Sequence, residues 1–288
     1  SGGMDAPVPD IDYTEYTNRQ LVVVPLAVLA AAVVVLAVAT ALSGLPVALG
    51  IEFTGGTEMQ VVTDDSPAEI RDTFDTEVES VTPSAGQTDT YQLTFQADDA
   101  DPLLEQAESA GYEIESVGER SASFAADSQR QAIIGLAVAF GGMAALVALM
   151  FRTFIPSIAV IASAFSDLVI PLALMRLFDI ELTLGTVAAL LMLVGYSVDS
   201  DLLLNNHVLR RHGDFYTSTA RAMRTGVTMT TTSIAAMVVM TLVAYALGIP
   251  LLPDVGVILV FGLLADLMNT YLLNVSLLRY YKYEGIAK

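Results

Sequence analysis

Residues 182–211 read LTLGTVAALLMLVGYSVDSDLLLNNHVLRR, an apolar run long enough to cross a bilayer that carries Gly195, Asp199, Asp201, Asn205, Asn206 and His207 toward its middle and end. A carboxylate at the centre of a membrane helix costs about 2.5 to 3.5 kcal/mol on insertion scales, so two acids two residues apart are not there for stability. On a helix, residues two apart point about 200° away from each other, whereas Asp201 and Asn205, four apart, share a face. One acid is therefore expected at an interface with a second bundle, beside Asp266, Asn269 and the Thr228 to Thr232 run, and the other packed within this bundle or at the headgroups. Asn205 extends the Asp201 face, which inclines the choice toward Asp201. The plainer alternative sets the whole acidic segment at a helix end, in the headgroups beside Arg210 and Arg211.

Working outward, composition gives the class. Hydrophobic residues make up 54% of the 288, charged residues 16%, and the mean hydropathy is +0.59, which fits a polytopic membrane protein with a sizeable aqueous part. Residues 44–130 hold 19 Asp and Glu against Arg71, Arg120 and Arg130, a local net of −16 out of −19 for the chain. Such a domain repels nucleic acid and anionic lipid. Only Lys282 and Lys288 occur as lysines, and an acid-rich, Lys-poor domain suits molar salt, where self-repulsion is screened within a few ångströms. With no Cys there is neither a disulfide framework nor a thiolate site.

Ser1-Gly2-Gly3 ahead of Met4 reads as an expression scar, followed by a polar tail to residue 20. Residues 21–43 form the first span, an uncleaved anchor. Its uncharged stretch of 22 residues is enough for ~30 Å of hydrocarbon. Five more spans are expected at 131–151, 154–177, 182–206, 226–247 and 255–278, with a connection at 207–225 and a tail at 279–288. Arg19, Arg152, Arg210, Arg211, Arg221, Arg224, Arg279, Lys282 and Lys288 fall on the termini and on two connections of the same side, so both termini are expected in the cytoplasm and the 44–130 segment outside.

Within 44–130 the pattern is strand 57–63, helix 67–77 opened by Ser66, strand 79–83, strand 90–96, helix 102–110 closed by Gly111, and strand 112–118. That βαββαβ order predicts an α+β ferredoxin-like sandwich. Its carboxylates read as a solvated face with no catalytic set. Asp98, Asp99 and Asp101 lack the spacing and glycine of a calcium loop, so no metal site and no cofactor is expected. His207 and His212 read as solvated residues of the 207–225 connection.

Other spans carry polar groups too. Asp167 lies near the middle of the third and Asp266 near the middle of the sixth, with Asn269 and Asn274 below it, and the fifth opens on Thr228-Met229-Thr230-Thr231-Thr232-Ser233. Asp167, Asp199, Asp201 and Asp266, all charged and unpaired, would cost roughly 10 to 14 kcal/mol, so some are neutral, hydrated or paired, with Arg224 a candidate partner. For the Thr and Ser residues, bonding to their own i−4 carbonyls is the stronger expectation, with Thr228 and Thr231 kept as relay candidates. Asp167 and Asp266 fit structural hydrogen bonding as well as ion movement. Acids in the third, fourth and sixth spans also predict a polar face that a second bundle covers.

Gly50 to Thr57, GIEFTGGT, after a first span resembles the GIDFTGGT signature of the SecF family of protein-export membrane proteins, with Gly50, Phe53, Thr54, Gly55, Gly56 and Thr57 in register. Ser166-Asp167-Leu168-Val169, Glu181-Leu182-Thr183, Ala188 to Leu191, Gly195-Tyr196-Ser197, Arg224-Thr225, Thr228 and Thr231 continue the likeness in order. The resemblance implies six spans of the resistance-nodulation-division type with an extracytoplasmic domain between the first two. It also implies a non-enzymatic, accessory role beside SecD at the Sec translocation channel, acting on unfolded secretory polypeptides within membrane lipid. With the composition, it points to a halophilic archaeon as the source. One departure stands out: bacterial members read Gly-Tyr-Ser-x-Asn-Asp-Thr, with the Asp implicated in proton coupling, and that position here is Ser200, flanked by Asp199 and Asp201. The alternative function is half of a proton-driven efflux transporter of the same superfamily. Against it, a domain of about 80 residues is too small to enclose a drug-sized tunnel.

Overall fold

The computed structural model describes residues 13, 15–84, 86–152, 154–206 and 214–280. In chain order these form α1 (Asn18–Ser43), α2 (Ile51–Thr54), β1 (Gly56–Val62), α3 (Pro67–Thr73), β2 (Val78–Pro83), β3 (Thr90–Phe95), α4 (Asp101–Ser109), β4 (Glu113–Arg120), α5 (Ala122–Phe151), α6 (Phe154–Leu177), α7 (Leu184–Asn205), α8 (Phe215–Ala246) and α9 (Leu252–Met268). A π-helical segment (Asn269–Asn274) and α10 (Val275–Tyr280) complete the sixth span.

Among the described residues, six helices are long and apolar enough to cross a membrane. They divide into two kinds. The apolar windows of α6, α7 and α9 are each 56% buried, whereas those of α1, α5 and α8 are 11 to 17% buried, so the first three form the centre and the others its outer wall. The acids of the third, fourth and sixth spans therefore sit on the central helices. Close packing there depends on Gly262 of α9, where an added Cβ would lie 2.2 Å from Leu193 Cδ1 of α7. α8 starts at Phe215, upstream of the span expected from hydropathy. Its buried positions Phe215, Ser218, Thr219, Ala222, Met223, Gly226, Val227 and Thr230 follow helical spacing and pack on Leu204, Tyr271 and Val275.

The small domain is an antiparallel four-stranded sheet in the order β2-β3-β1-β4, the ferredoxin-like arrangement. The first of its helices opens as the sequence predicts: Ser66 accepts from the backbone N–H of Glu69, whose carboxylate returns to the Ser66 N–H at 2.7 Å. Met59, Val61, Leu93 and Phe95 point to one face, where Ile70, Phe74, Leu103, Ala107 and Tyr112 from the helices and their flanks close the core. The opposite, polar face of the sheet turns toward the loops of the bundle.

The Gly50 to Thr57 stretch joins the two parts. α2 turns the chain after the first span, and Gly55 (φ +74°) and Gly56 (φ +111°) turn it again into β1. A Cβ on Gly56 would lie 2.3 Å from the carbonyl oxygen of Phe95, so the second glycine is fixed by both backbone and space. The same stretch is tied to the loop before α7: the Gly50 N–H donates to Leu182 O at 2.9 Å and the Leu182 N–H to Ala48 O at 2.7 Å. Two motifs far apart in the sequence are thus joined by one short parallel bridge between Leu49 and Leu182.

Candidate functional site

Three carboxyl groups meet inside the bundle. Asp167 of α6, Asp201 of α7 and Asp266 of α9 are no more than 2% exposed, while Asp199 is on the outside of α7. The opposite orientation of Asp199 and Asp201 follows from helical geometry, and packing makes Asp201 the inner one.

Each carboxyl has neutral partners. Asp167 accepts from the Ser197 hydroxyl at 2.6 Å and the Asn269 amide at 2.7 Å. Asp201 accepts from the Asn274 amide at 2.9 Å and the Thr270 hydroxyl at 3.2 Å, and Ser163 faces it from α6. Thr270 also lies 3.4 Å from Asp266 Oδ1 and 3.4 Å from the Ser200 hydroxyl. The Asp167 and Asp266 carboxyls are neighbours. Among the described residues no Arg or Lys partners any of the three.

The π turn explains how the sixth span supplies so many of these groups. In an α-helix, residues five apart point about 140° away from each other. An i to i+5 turn instead brings Asn269 and Asn274 to the same side, one reaching Asp167 and the other Asp201. From outside, the Tyr13 hydroxyl donates to the Tyr271 carbonyl of this turn at 2.8 Å, and Arg279 holds the preceding segment through Tyr13 O, Tyr16 O and the Asn18 side chain.

The remaining candidates are placed elsewhere. Arg224, Thr228 and Thr231 are exposed on α8 and do not reach the carboxyls. Thr228 donates to the Arg224 carbonyl at 2.8 Å and Thr232 to the Thr228 carbonyl at 2.8 Å, the i−4 pattern expected of such residues. Thr230 is the fully buried member of that run, and its hydroxyl meets the Tyr196 hydroxyl at 2.5 Å. Asp167, Asp201 and Asp266 turn into the bundle rather than onto its outer surface. Gly195 and Asp199 of α7 and Arg221, Arg224, Thr225, Thr228, Thr231 and Thr232 of α8 are exposed. His207 and His212 lie outside the described residues.

The sequence misses two parts of the site. Ser163 and Thr270 carry no signal of their own, being small polar residues of a type common in membrane helices. The other omission is a cleft of about 250 Å³ between the sheet's polar face and the bundle loops, lined by Glu52, Glu58, Arg120, Asp179, Glu181 and Asp254 among others. Burial, reinforced by the neighbouring Glu58, Asp254, Glu79 and Glu52, pushes the Glu181 carboxyl up to about 7. Burial likewise raises Glu58, so this part of the domain is not the uniformly solvated acidic face expected from composition.

The comparisons agree with this architecture. Residues 101–284 match the family described as protein export membrane protein SecD/SecF, C-terminal, and residues 40–67 match the SecD/SecF GG motif. The chain is 61% identical to the protein-export membrane protein SecF of Haloferax volcanii and 58% identical to that of Haloquadratum walsbyi, in each case over 98% of both chains; both come from halophilic archaea. The crystal structure of SecDF, a translocon-associated membrane protein from Thermus thermophilus, superimposes with a TM-score of 0.76 at 17% identity, over 96% of this chain and 39% of that one. The two folds are therefore alike, and this chain spans well under half of the larger protein. Six apolar helices, a small antiparallel sheet between the first two, the glycine-rich turn and full-length relatives all agree: this multi-pass membrane protein belongs to the SecF family of protein-export membrane proteins.

Proposed function

We propose that the chain works beside SecD as an accessory subunit of the Sec export machinery, assisting secretory polypeptides through the translocation channel, and that ion movement through its bundle is coupled to that work. The observation that carries the coupling is the meeting of Asp167, Asp201 and Asp266 in the interior with no basic partner among the described residues. Three buried charges of one sign are not sustained in a membrane protein. Protons or cations must accompany them, and a site that needs such ions can bind and release them.

Charge distribution supports cytoplasmic termini and an extracytoplasmic small domain, since the basic residues gather on one side of the spans. The exposed flank of α7 and α8 supports a second polytopic subunit. Arg221, Arg224, Asp199 and four threonines facing outward make a poor lipid surface, whereas Val238, Val239, Leu242 and Val243 on the other half of α8 make a good one.

Deleting the gene and following a secreted reporter together with sensitivity to toxic amphiphiles tests the assignment. Loss of export without hypersensitivity is expected. Hypersensitivity with normal export would instead favour an efflux transporter.

A further inference from the structure

Tyr13 precedes the first span in a stretch that reads as a polar tail, yet it is only 4% exposed and packs in one apolar cluster with Leu21, Met223, Tyr271 and Val275. A buried tyrosine hydroxyl needs a hydrogen-bond partner. This one donates to the Tyr271 carbonyl at 2.8 Å, with Met223 Sδ 3.7 Å away. The choice of carbonyl is informative. In an α-helix the Val275 N–H would donate to Tyr271 O, four residues back. Here it points to Thr270 O and Leu272 O, the first of these being the five-residue offset of a π turn. Tyr271 O is thus the acceptor from which the register shift removes the α-helical donor, and the Tyr13 hydroxyl supplies another. A donor from outside the helix at that atom favours the π register, in which the carbonyl lacks the Val275 N–H, over the α register, in which it already has it.

Tyr13 is itself held in place. The guanidinium of Arg279, buried beyond the π turn, donates to Tyr13 O at 2.6 Å, to Tyr16 O at 2.8 Å and to the Asn18 side chain. Two of these acceptors are backbone oxygens, so the planar fork sets the path of the chain into α1. The Tyr271 ring in turn fills the space that a side chain on Gly226 of α8 would take.

We propose that Tyr13 is a positioning residue of the bundle: its hydroxyl holds the sixth span in the π register and so keeps Asn274 on Asp201, with Arg279 fixing Tyr13 in place. Residues five apart diverge by about 140° in an α-helix, so relaxation of the turn would take Asn274 off Asp201 while Asn269 stayed on Asp167. Any effect of Tyr13 on export rests on the proposed role of the carboxyl cluster; its hold on the turn does not.

The test is hydrogen exchange of the purified full chain in detergent, comparing the wild type with Tyr13→Phe, which keeps the ring and removes the hydroxyl. Exchange of the backbone amides of residues 270–276 should quicken several-fold, up to about tenfold, the worth of one hydrogen bond, while that of α9 stays at the wild-type rate. Arg279→Lys, which keeps the charge and loses the fork, should quicken the same amides. A second readout is the melting temperature in a double-mutant cycle with Asn274→Ala. A residue that acts through Asn274 should cost less once that side chain is gone, whereas one that only packs should cost the same. Unchanged exchange at 270–276 in Tyr13→Phe overturns the proposal, as does an equal quickening throughout α9 or strict additivity in the cycle. Should Asn274→Ala not fold, the exchange result alone decides. Reporter export separates this proposal from the coupling. Local quickening in Tyr13→Phe with normal export by Asp201→Asn leaves the positioning role standing and removes the coupling. Unchanged exchange in Tyr13→Phe with lost export by Asp201→Asn overturns the positioning role and leaves the coupling.

Discussion

The side-chain amide of Asn274 donates to Asp201 Oδ1 at 2.9 Å, joining the π turn of the sixth span to the fourth span inside a ring of neutral polar groups. No basic residue shares that task among the described residues; the neutral Thr270 hydroxyl, 3.2 Å from the same oxygen, is the other donor. Replacing Asn274 with Ala should lower stability by about 1 to 3 kcal/mol, the usual worth of a buried hydrogen bond to a charged or carboxyl group. The exposed Asn206→Ala should change it little. Denaturant unfolding in detergent compares the two; equal effects would show that the Asn274 bond does not support the site.

The turn into β1 gives a second prediction. Gly56→Ala combines a φ of +111° with a Cβ placed 2.3 Å from the Phe95 carbonyl oxygen, neither of which a small shift relieves. A loss of at least about 2 kcal/mol is expected. Gly111 has φ +81° and open space, so Gly111→Ala should cost only the backbone term, about 1 to 2 kcal/mol. Thermal unfolding followed in the domain distinguishes them.

Glu181 links pH to the seating of the domain on the bundle. Its carboxyl is raised from 4.5 to about 7 in the fold, so the folded chain holds a proton that the unfolded chain releases earlier. The contribution is therefore complete at pH values below about 4.5 and is lost as pH rises through about 7. Glu58, Asp254, Glu79 and Glu52 add repulsion there, with Arg120 and Arg176 in the adjoining clefts. Glu181→Gln should flatten the pH dependence in that window and stabilise the chain at mildly alkaline pH by roughly 1 to 2 kcal/mol, the full shift being reduced by partial exposure. An unchanged pH profile would contradict it.

Much of this was legible before any coordinates. Helical geometry separates Asp199 from Asp201, and the strand and cap signals around Ser66 and Gly111 outline the sandwich. What stayed hidden was tertiary in origin. Which face of α7 turns inward depends on neighbours, and Gly195 and Asp199 share the exposed side with nothing in the helix itself to say so. The convergence of Asn269 and Asn274 needs a π turn, which no residue type announces. The start of α8 at Phe215 was masked by Arg221, Arg224 and the threonines, whose polarity reads as a loop although Phe215, Thr219, Ala222 and Gly226 repeat at helical spacing. Glu181 appeared as part of a family motif, and its cleft exists only once the domain is folded over the loops.

The central claim is that Asp201, inside the bundle, and not Asp199, outside it, carries ion-coupled export. Secretion of a reporter in the native host, with protein level and SecD association matched, measures this directly for Asp201→Asn and Asp199→Asn. Export should fall several-fold in Asp201→Asn and remain at the wild-type rate in Asp199→Asn. Normal export by Asp201→Asn, alone or combined with Asp199→Asn, would show that the buried acids only hold the helices together.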